Sequence, residues 1–382
     1  MRTDESWRGI PPSYLARLEE GPRTWAVTAK GRFFLHNFVF LKGNHCFVIG
    51  TTGSGKTNVG IWLVSWLKNT EVQIWMDSGK SGEILPLLCQ GKRVRIICPD
   101  YCDVIIEERI KGEWRRIENH PDVRTCASAT LAWDCIDNGG RGKHGNYTDK
   151  AINILCFRNA FLSVPARAEW MADLFSSLST RTRLGKMPAI FPFTLHIDES
   201  QWVLAGTRIS KDADRIKSSE VITENALEIR SYGGRLIMYA QDFMNIPPAI
   251  RENLICAILL RGADVDSSQS KKLSPHCNVP LGTKRPANYV RGEGKFVSEN
   301  GIALPNNKTW GFPLFPKDEE DRKWVKRCRV RYVGFNDQRP EEAEAQEECQ
   351  PELGRFQAMA IPPDKIEGLG ISRWENLGDV YE

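Results

Sequence analysis

One run of eight residues narrows the folds open to this chain more than any other: Gly50-Thr-Thr-Gly-Ser-Gly-Lys-Thr57, which satisfies the spacing GxxxxGK[ST] in full. The stretch before it, 45–49, is short, apolar and ends at glycine, the profile of a buried strand entering a loop. Beyond Lys56 the apolar residues Ile61, Leu63 and Leu67 predict an amphipathic helix. A glycine-rich turn in that position lets backbone N–H groups point inward around an anion, at the positive end of the helix. A chance glycine-rich turn lacks both the strand before it and the helix after it. Gly50, Thr51, Thr52, Gly53, Ser54 and Gly55 are therefore expected to cradle phosphates. Lys56 is expected to reach the β- and γ-phosphates, and Thr57 to ligate Mg2+ through its hydroxyl. ATP with Mg2+ is the expected ligand pair.

Downstream, apolar strand-like runs alternate with helical ones. Strands are expected at 72–76, 94–98, 152–156, 193–197, 235–240 and 255–260, and helices after Lys56 and at about 166–182. Such alternation calls for an α/β fold with a mainly parallel sheet and helices on both faces. In open sheets of this kind ligands bind beyond the carboxyl ends of the strands. Residues 1–40, punctuated by Pro11-Pro12 and Gly21-Pro22, are expected to form an N-terminal arm with short β elements at 25–28 and 33–40. Residues 41–262 are the expected core, with a less regular insertion at about 103–150. That insertion holds a charged segment at 107–118 and the tract Asn138-Gly-Gly-Arg-Gly-Lys-His-Gly145; a solvated loop and a basic loop facing nucleic acid are both open for it. After Gly262 the rhythm fades, and 263–382 are expected to be an irregular C-terminal extension with an acidic tail.

The second motif is Phe193-Thr-Leu-His-Ile-Asp-Glu-Ser200, an apolar strand delivering two acids at its tip. Asp198 is expected to hold Mg2+ through water, and Glu199 to orient and polarise the attacking water. Alone, Asp-Glu after a strand is an ordinary loop start or helix cap; beside a phosphate loop it is a hydrolytic pair. Two segments follow with alternatives open. Arg230, at the end of a helix, is either a solvated residue favourable at a helix C-terminus or an arginine finger serving a neighbouring subunit. Gln241, at a strand tip, is either a strand-end hydrogen bonder or a contact for the γ-phosphate or the lytic water. A fourth segment, 74–83, ends a strand in Asp77 and a turn with Lys80, by default a cap for the next helix.

Bulk properties constrain less. At 382 residues the length suggests two or three domains, and 41% apolar content with 12 Trp suffices for a large core. The net charge is only +4, but five glutamates crowd into 341–348, so the remainder is more basic than the total suggests. A phosphate-backbone partner is permitted, not required. The 11 cysteines are scattered singly, with no CxxC and no signal-peptide pattern, which fits a reducing intracellular setting. Cys98 with Cys102, or His276 with Cys277, make weaker sense as zinc ligands than as apolar residues. The apolar stretch 57–67 falls short of the roughly 20 residues a bilayer demands.

In this order, the phosphate loop, the strand ending Asp198-Glu199 and Arg230-x-x-Gly233 followed by a strand ending in Gln241 resemble the HerA–FtsK superfamily of P-loop motor ATPases. That group includes DNA-pumping translocases, viral genome-packaging ATPases, conjugation coupling proteins and the Zot-like proteins of filamentous phages. The resemblance spans roughly residues 40–262 and implies a RecA-like P-loop NTPase fold. It implies Asp198 and Glu199 as Mg2+ and water ligands, Arg230 as an arginine acting in trans and Gln241 as a γ-phosphate sensor. The Asp77-x-x-Lys80 turn resembles the family's acidic turn after the second strand, and Arg251 is a secondary candidate for nucleotide or subunit contact. No segment of the sequence is recognisable as the helicase branch's N-terminal barrel, the chromosome-segregation branch's C-terminal winged helix or the coupling proteins' transmembrane pair. What the resemblance then implies is a soluble packaging or transfer motor in the cytoplasm, the host's if viral. It would form a homo-oligomeric ring of six that threads duplex DNA, with a capsid or membrane-machinery partner. A Zot-like assembly or secretion ATPase with protein cargo is the alternative. A nucleotide switch or small-molecule kinase fits less well, because no acceptor-substrate lid is evident and adjacent acids favour water as nucleophile.

Overall fold

The strands expected between residues 45 and 260 form, and their bounds fall within about two residues of those read from the sequence. The computed structural model describes residues 45–67, 71–77, 84–89, 93–117, 122–137, 140–141, 147–148, 152–156, 164–184, 193–200, 213–229, 234–242, 246–247, 249–250, 256–263, 286–298, 310–312, 315–316 and 318–333. The expectations for the N-terminal arm, Lys80, Arg230, Arg251, His276, Cys277, most of the 138–145 tract and the acidic run at 341–348 lie outside the described residues.

In chain order the elements are β1 (Cys46–Ile49), α1 (Lys56–Leu67), β2 (Val72–Met76), α2 (Ile84–Leu88), β3 (Val94–Pro99), β4 (Asp103–Ile110), β5 (Glu113–Arg116), β6 (Asp122–Cys126) and α3 (Ala129–Ala132). A two-rung hairpin, β7 (Gly140–Arg141) and β8 (Tyr147–Thr148), leads to β9 (Ile152–Leu155), α4 (Val164–Arg183), β10 (Phe193–Ile197), α5 (Ala213–Ile229), β11 (Gly234–Ala240) and β12 (Cys256–Leu260). The last elements are β13 (Glu293–Ser298), β14 (Trp310–Gly311), α6 (Glu319–Arg327) and β15 (Cys328–Val333).

The main sheet has ten strands in the order β14-β13-β12-β1-β11-β10-β2-β9-β3-β6. Neighbours from β12 to β6 all run parallel, and β13 and β14 close one side antiparallel. Strands β1, β2, β9 and β10 are buried along their whole length because both faces are covered, so they read as apolar runs rather than alternating ones. On one face Phe47, Ile74, Leu195 and Met238 pack against α4 and α5 through Phe175, Leu178, Ile222 and Ala226. On the other, Val48, Trp75, Ile237 and Ile258 pack against α1 through Val59, Leu63 and Val64. With a glycine-rich loop joining β1 to α1, this is a RecA-like P-loop NTPase fold.

Three expectations change. Helix α1 is not amphipathic: Val59, Ile61, Trp62, Leu63, Val64 and Leu67 are all buried, so its outer side needs cover as well. That cover comes from beyond Gly262. Phe312 packs edge-on against Trp62 at 5.4 Å, and the Phe315 amide donates to Asn58 Oδ1 at 2.8 Å. The segment expected to be irregular therefore supplies sheet strands and the lid of α1, and its described residues belong to the same compact unit as the core. The expected insertion is also regular in large part. β6 extends the main sheet, while β4 and β5 form a hairpin that joins β15 in a separate three-stranded antiparallel sheet, order β15-β4-β5. Val104, Ile106, Val330 and Cys328 turn that accessory sheet's inner face into the core beside α1.

Candidate functional site

The sheet brings both motifs to one edge. β1 ends at the glycine-rich loop and β10 ends at Asp198-Glu199, with β11 between them, hydrogen-bonded to each. At normal strand spacing the two strand tips stand about 10 Å apart. Cross-links from both loops to the last residues of β11 fix the spacing: the Gly50 amide donates to Ala240 O at 3.2 Å, and Ser200 Oγ donates to Tyr239 O at 3.2 Å. Gln241 follows directly, exposed at the tip of that middle strand.

The loop itself is built by backbone geometry. Gly53 and Gly55 have φ of 74° and 103°, a region costly for any residue with a Cβ, and between them the Ser54 amide closes a turn onto Thr51 O at 3.1 Å. Thr51 is anchored to the strand beyond, its amide and hydroxyl donating to Arg261 O at 3.0 and 3.2 Å. Lys56 Nζ lies across the loop, donating to Gly50 O at 2.8 Å and Thr51 O at 3.0 Å. Thr57 opens α1, half-buried. The Gly292 amide, from the turn before β13, donates to Ser54 O at 3.1 Å, so the C-terminal region braces the loop from outside.

Asp198 Oδ2 and Ser54 Oγ, both at this edge, are buried and have no hydrogen-bond partner among the described residues. Asp198 is 3% exposed and Glu199 8%. Burying an unpaired carboxylate oxygen is costly, and such atoms are kept where a ligand completes them. Glu199 has φ of 45°, the left-handed region that few non-glycine residues occupy, which re-aims its carboxylate where the strand ends. The residues present fit a Mg2+–triphosphate: loop amides and an amine for phosphate, and a hydroxyl and a carboxylate for the metal.

Beneath the acids lies a buried polar layer. Gln73 Nε2 donates to Glu71 O at 3.2 Å, so its Oε1 accepts from His196 Nε2 at 2.9 Å, and His196 Nδ1 accepts from the Tyr239 hydroxyl at 2.8 Å. Burial lowers the His196 imidazole to about 3, so it is neutral at physiological pH. Two residues before Asp198 and on the same face of β10, it stacks on Trp75 at 5.3 Å. Asp77, at the tip of β2 beside β10, accepts from the Tyr332 hydroxyl at 2.6 Å, a tie from the accessory sheet to the site edge. The sequence reading missed Tyr332. The alternation Cys328-Arg-Val-Arg-Tyr-Val333 was the available signal for a half-buried strand.

No family model matches the chain, and no curated protein is similar to it in sequence. Solved structures with a similar fold include the genome packaging NTPase B204 of Sulfolobus turreted icosahedral virus 2 in complex with AMPPCP, at 12% identity and TM-score 0.36, covering 71% of this chain and 98% of that one. VirB4 of Thermoanaerobacter pseudethanolicus matches at 13% identity and TM-score 0.41, covering 72% and 91%. EssC (ATPases 2 and 3) of Geobacillus thermodenitrificans matches at 12% and 0.39, covering 81% of this chain and 45% of that one. At these identities and scores the likeness carries over neither substrate nor partner. Among the described residues no helix is long and apolar enough to cross a membrane.

Proposed function

We propose that this chain is a Mg2+-dependent ATPase motor of the HerA–FtsK kind that moves duplex DNA as a ring of subunits, six by that resemblance. The supporting observation is the buried, unpartnered Asp198 carboxylate oxygen at the same sheet edge as the glycine-rich loop, one strand away. In this reading the loop amides not already bonded to backbone carbonyls, those of Thr52, Gly53 and Gly55, and the Lys56 amine hold the phosphates, and Thr57 and Asp198 hold Mg2+. The metal, when bound, neutralises charge on the transferring phosphoryl group. Glu199 accepts a hydrogen bond from the attacking water and draws its proton as the new P–O bond forms and the bond to ADP breaks. Gln241 contacts the γ-phosphate or that water.

Arg230 is assigned to the neighbouring subunit's site. α5 ends at Ile229 and β11 begins at Gly234, which pairs with Phe193 at the start of β10, on the amino edge of the sheet opposite the loop. An arginine supplied across an interface makes hydrolysis depend on the neighbour's position.

Phosphate release with and without duplex DNA tests the proposal. Glu199→Gln should retain nucleotide while turnover falls by about 10² to 10⁴. Subunits carrying Arg230→Ala mixed with subunits carrying Lys56→Ala should recover part of the activity neither has alone. Unchanged turnover in Glu199→Gln would remove the hydrolytic assignment. Turnover that is indifferent to DNA would favour protein cargo.

A further inference from the structure

The accessory sheet turns its inner face into the core, and its outer face carries a concentration of arginine that the proposed ATPase chemistry does not use. Register fixes that face: Arg329 stands opposite Glu107, which stands opposite Arg116; Arg331 lies one rung away, and Arg109 pairs with Trp114 on the other side. The side chains of Arg116, Arg329 and Arg331 are 60%, 44% and 49% exposed. Two acids stand among them: Asp103, half exposed, lies 3.9 Å from Arg116, and the buried Glu107 accepts from Arg329 Nε at 2.7 Å and from Arg331 at 3.2 Å. Burial raises its carboxyl, but the hydrogen bonds and charges of the two arginines outweigh that and hold it below the ordinary value. Glu107 therefore orients a pair of guanidinium groups without covering their outer edges. The Arg329 guanidinium lies 4.2 Å over the Trp114 ring, which stiffens it further, and Trp114 is one of the large apolar side chains left exposed among the described residues.

We propose that this face is a contact surface for the phosphate backbone of duplex DNA; the proposal rests on the DNA-motor reading above and assigns its cargo contact. Planar guanidinium groups match phosphate oxygens two at a time, and rows of them on neighbouring strands contact successive phosphates without reading sequence. The strand beneath is suited to bear a load. On β15 Arg329 and Arg331 point outward, while Tyr332 on the opposite face is bonded to Asp77 at the site edge. Cargo held by the arginines is thus connected to the sheet edge carrying the acidic couplet.

The test is fluorescence anisotropy with a labelled duplex of mixed sequence across a salt series. Arg109→Ala/Arg116→Ala leaves the partners of Glu107 in place and parts Arg116 only from the half-exposed Asp103, and Glu107→Gln/Arg329→Gln/Arg331→Gln removes the buried acid together with its arginines, so neither strands a buried charge. Each should weaken binding at least about tenfold near 0.1 M salt and reduce the log–log salt slope by about 2, since each phosphate contact contributes about 0.9. Lys217→Ala/Lys323→Ala, which removes two positive charges elsewhere, as many as the first variant and more than the net loss in the second, should do neither. Unchanged slopes in both arginine variants, or equal losses in the lysine control, would overturn the surface assignment while leaving the motor reading intact. A parent chain that binds no duplex even at low salt would overturn both.

Discussion

Two of the carboxylates buried in this molecule, Glu107 and Asp198, are treated in opposite ways. Glu107, in the accessory sheet, is closed by two arginines. Asp198, at the edge of the central sheet, keeps one oxygen without a partner. Leaving a buried polar atom unsatisfied costs more than a paired one contributes, so a fold selected only for stability would have closed both. The open one marks where function has been given precedence over stability. The closed one is scaffold, and what it holds in place is the arginine pair.

Substituting each acid by its amide should break this contrast if it is wrong. Asp198→Asn should reduce turnover by about 10³-fold, through loss of several kcal/mol of charge stabilisation around the metal. It should also raise the melting temperature, because a buried charge without a partner is removed. Glu107→Gln should lower it, by about 1 kcal/mol after allowing for the exposure of its arginine partners. Thermal unfolding of the two variants measures the opposite signs, and a loss of stability in both would end the distinction.

The two regions also differ in how much of them the sequence disclosed. The central strands were readable because burial on both faces leaves short apolar runs bounded by glycine or acid, as in 72–76 and 193–197, whose bounds match the structure. The glycine-rich loop and the acidic couplet were readable for a related reason: each is local, with its chemistry written in consecutive residues. The accessory sheet was not. β4 and β15 are separated by more than two hundred residues, and the charges at 107–116 resemble a solvated face until β15 is paired with them. Nor did α1 reveal that its apolar outer side is covered by Phe312, because cover from a distant segment leaves no mark in the helix's own sequence. Tyr332, likewise, gains meaning only from Asp77.

Acid should separate the regions next. The folded His196 imidazole has a pKa near 3, against about 6.5 when unfolded, so between those values the unfolded chain binds the extra proton. The stability this provides is fully present above about pH 6.5 and drains away as pH falls toward 3, on the order of a few kcal/mol in total. Glu107, its carboxyl held low, gives up its contribution only further down, below the ordinary carboxylate value. Denaturation midpoints measured from pH 7 to pH 5 should therefore fall in the parent chain and flatten in His196→Gln. A slope in that window that survives the substitution would show that the buried layer under the acids is not what titrates.

The smallest effects should come from two glycines required for different reasons. A Cβ at Gly60, on α1, would lie 2.6 Å from Trp75 Cη2 and 2.9 Å from Tyr239 Cζ, so helix and sheet can approach this closely only without one. Gly112, in the β4–β5 turn, has open space around it but a φ of 92°. Gly60→Ala should cost about 1 to 3 kcal/mol by overpacking, and Gly112→Ala about 1 kcal/mol by backbone strain. Stability alone separates them poorly; ligand binding does so better. Pushing α1 off the sheet moves Lys56 and Thr57 away from Asp198, so Gly60→Ala should weaken nucleotide binding beyond what its stability loss explains, measured well below the melting transition. Gly112→Ala, confined to a turn of the accessory sheet, should bind nucleotide as the parent does. Equal affinities in the two variants would mean that the close contact of α1 with Trp75 and Tyr239 does not set the distance between the loop and the acids.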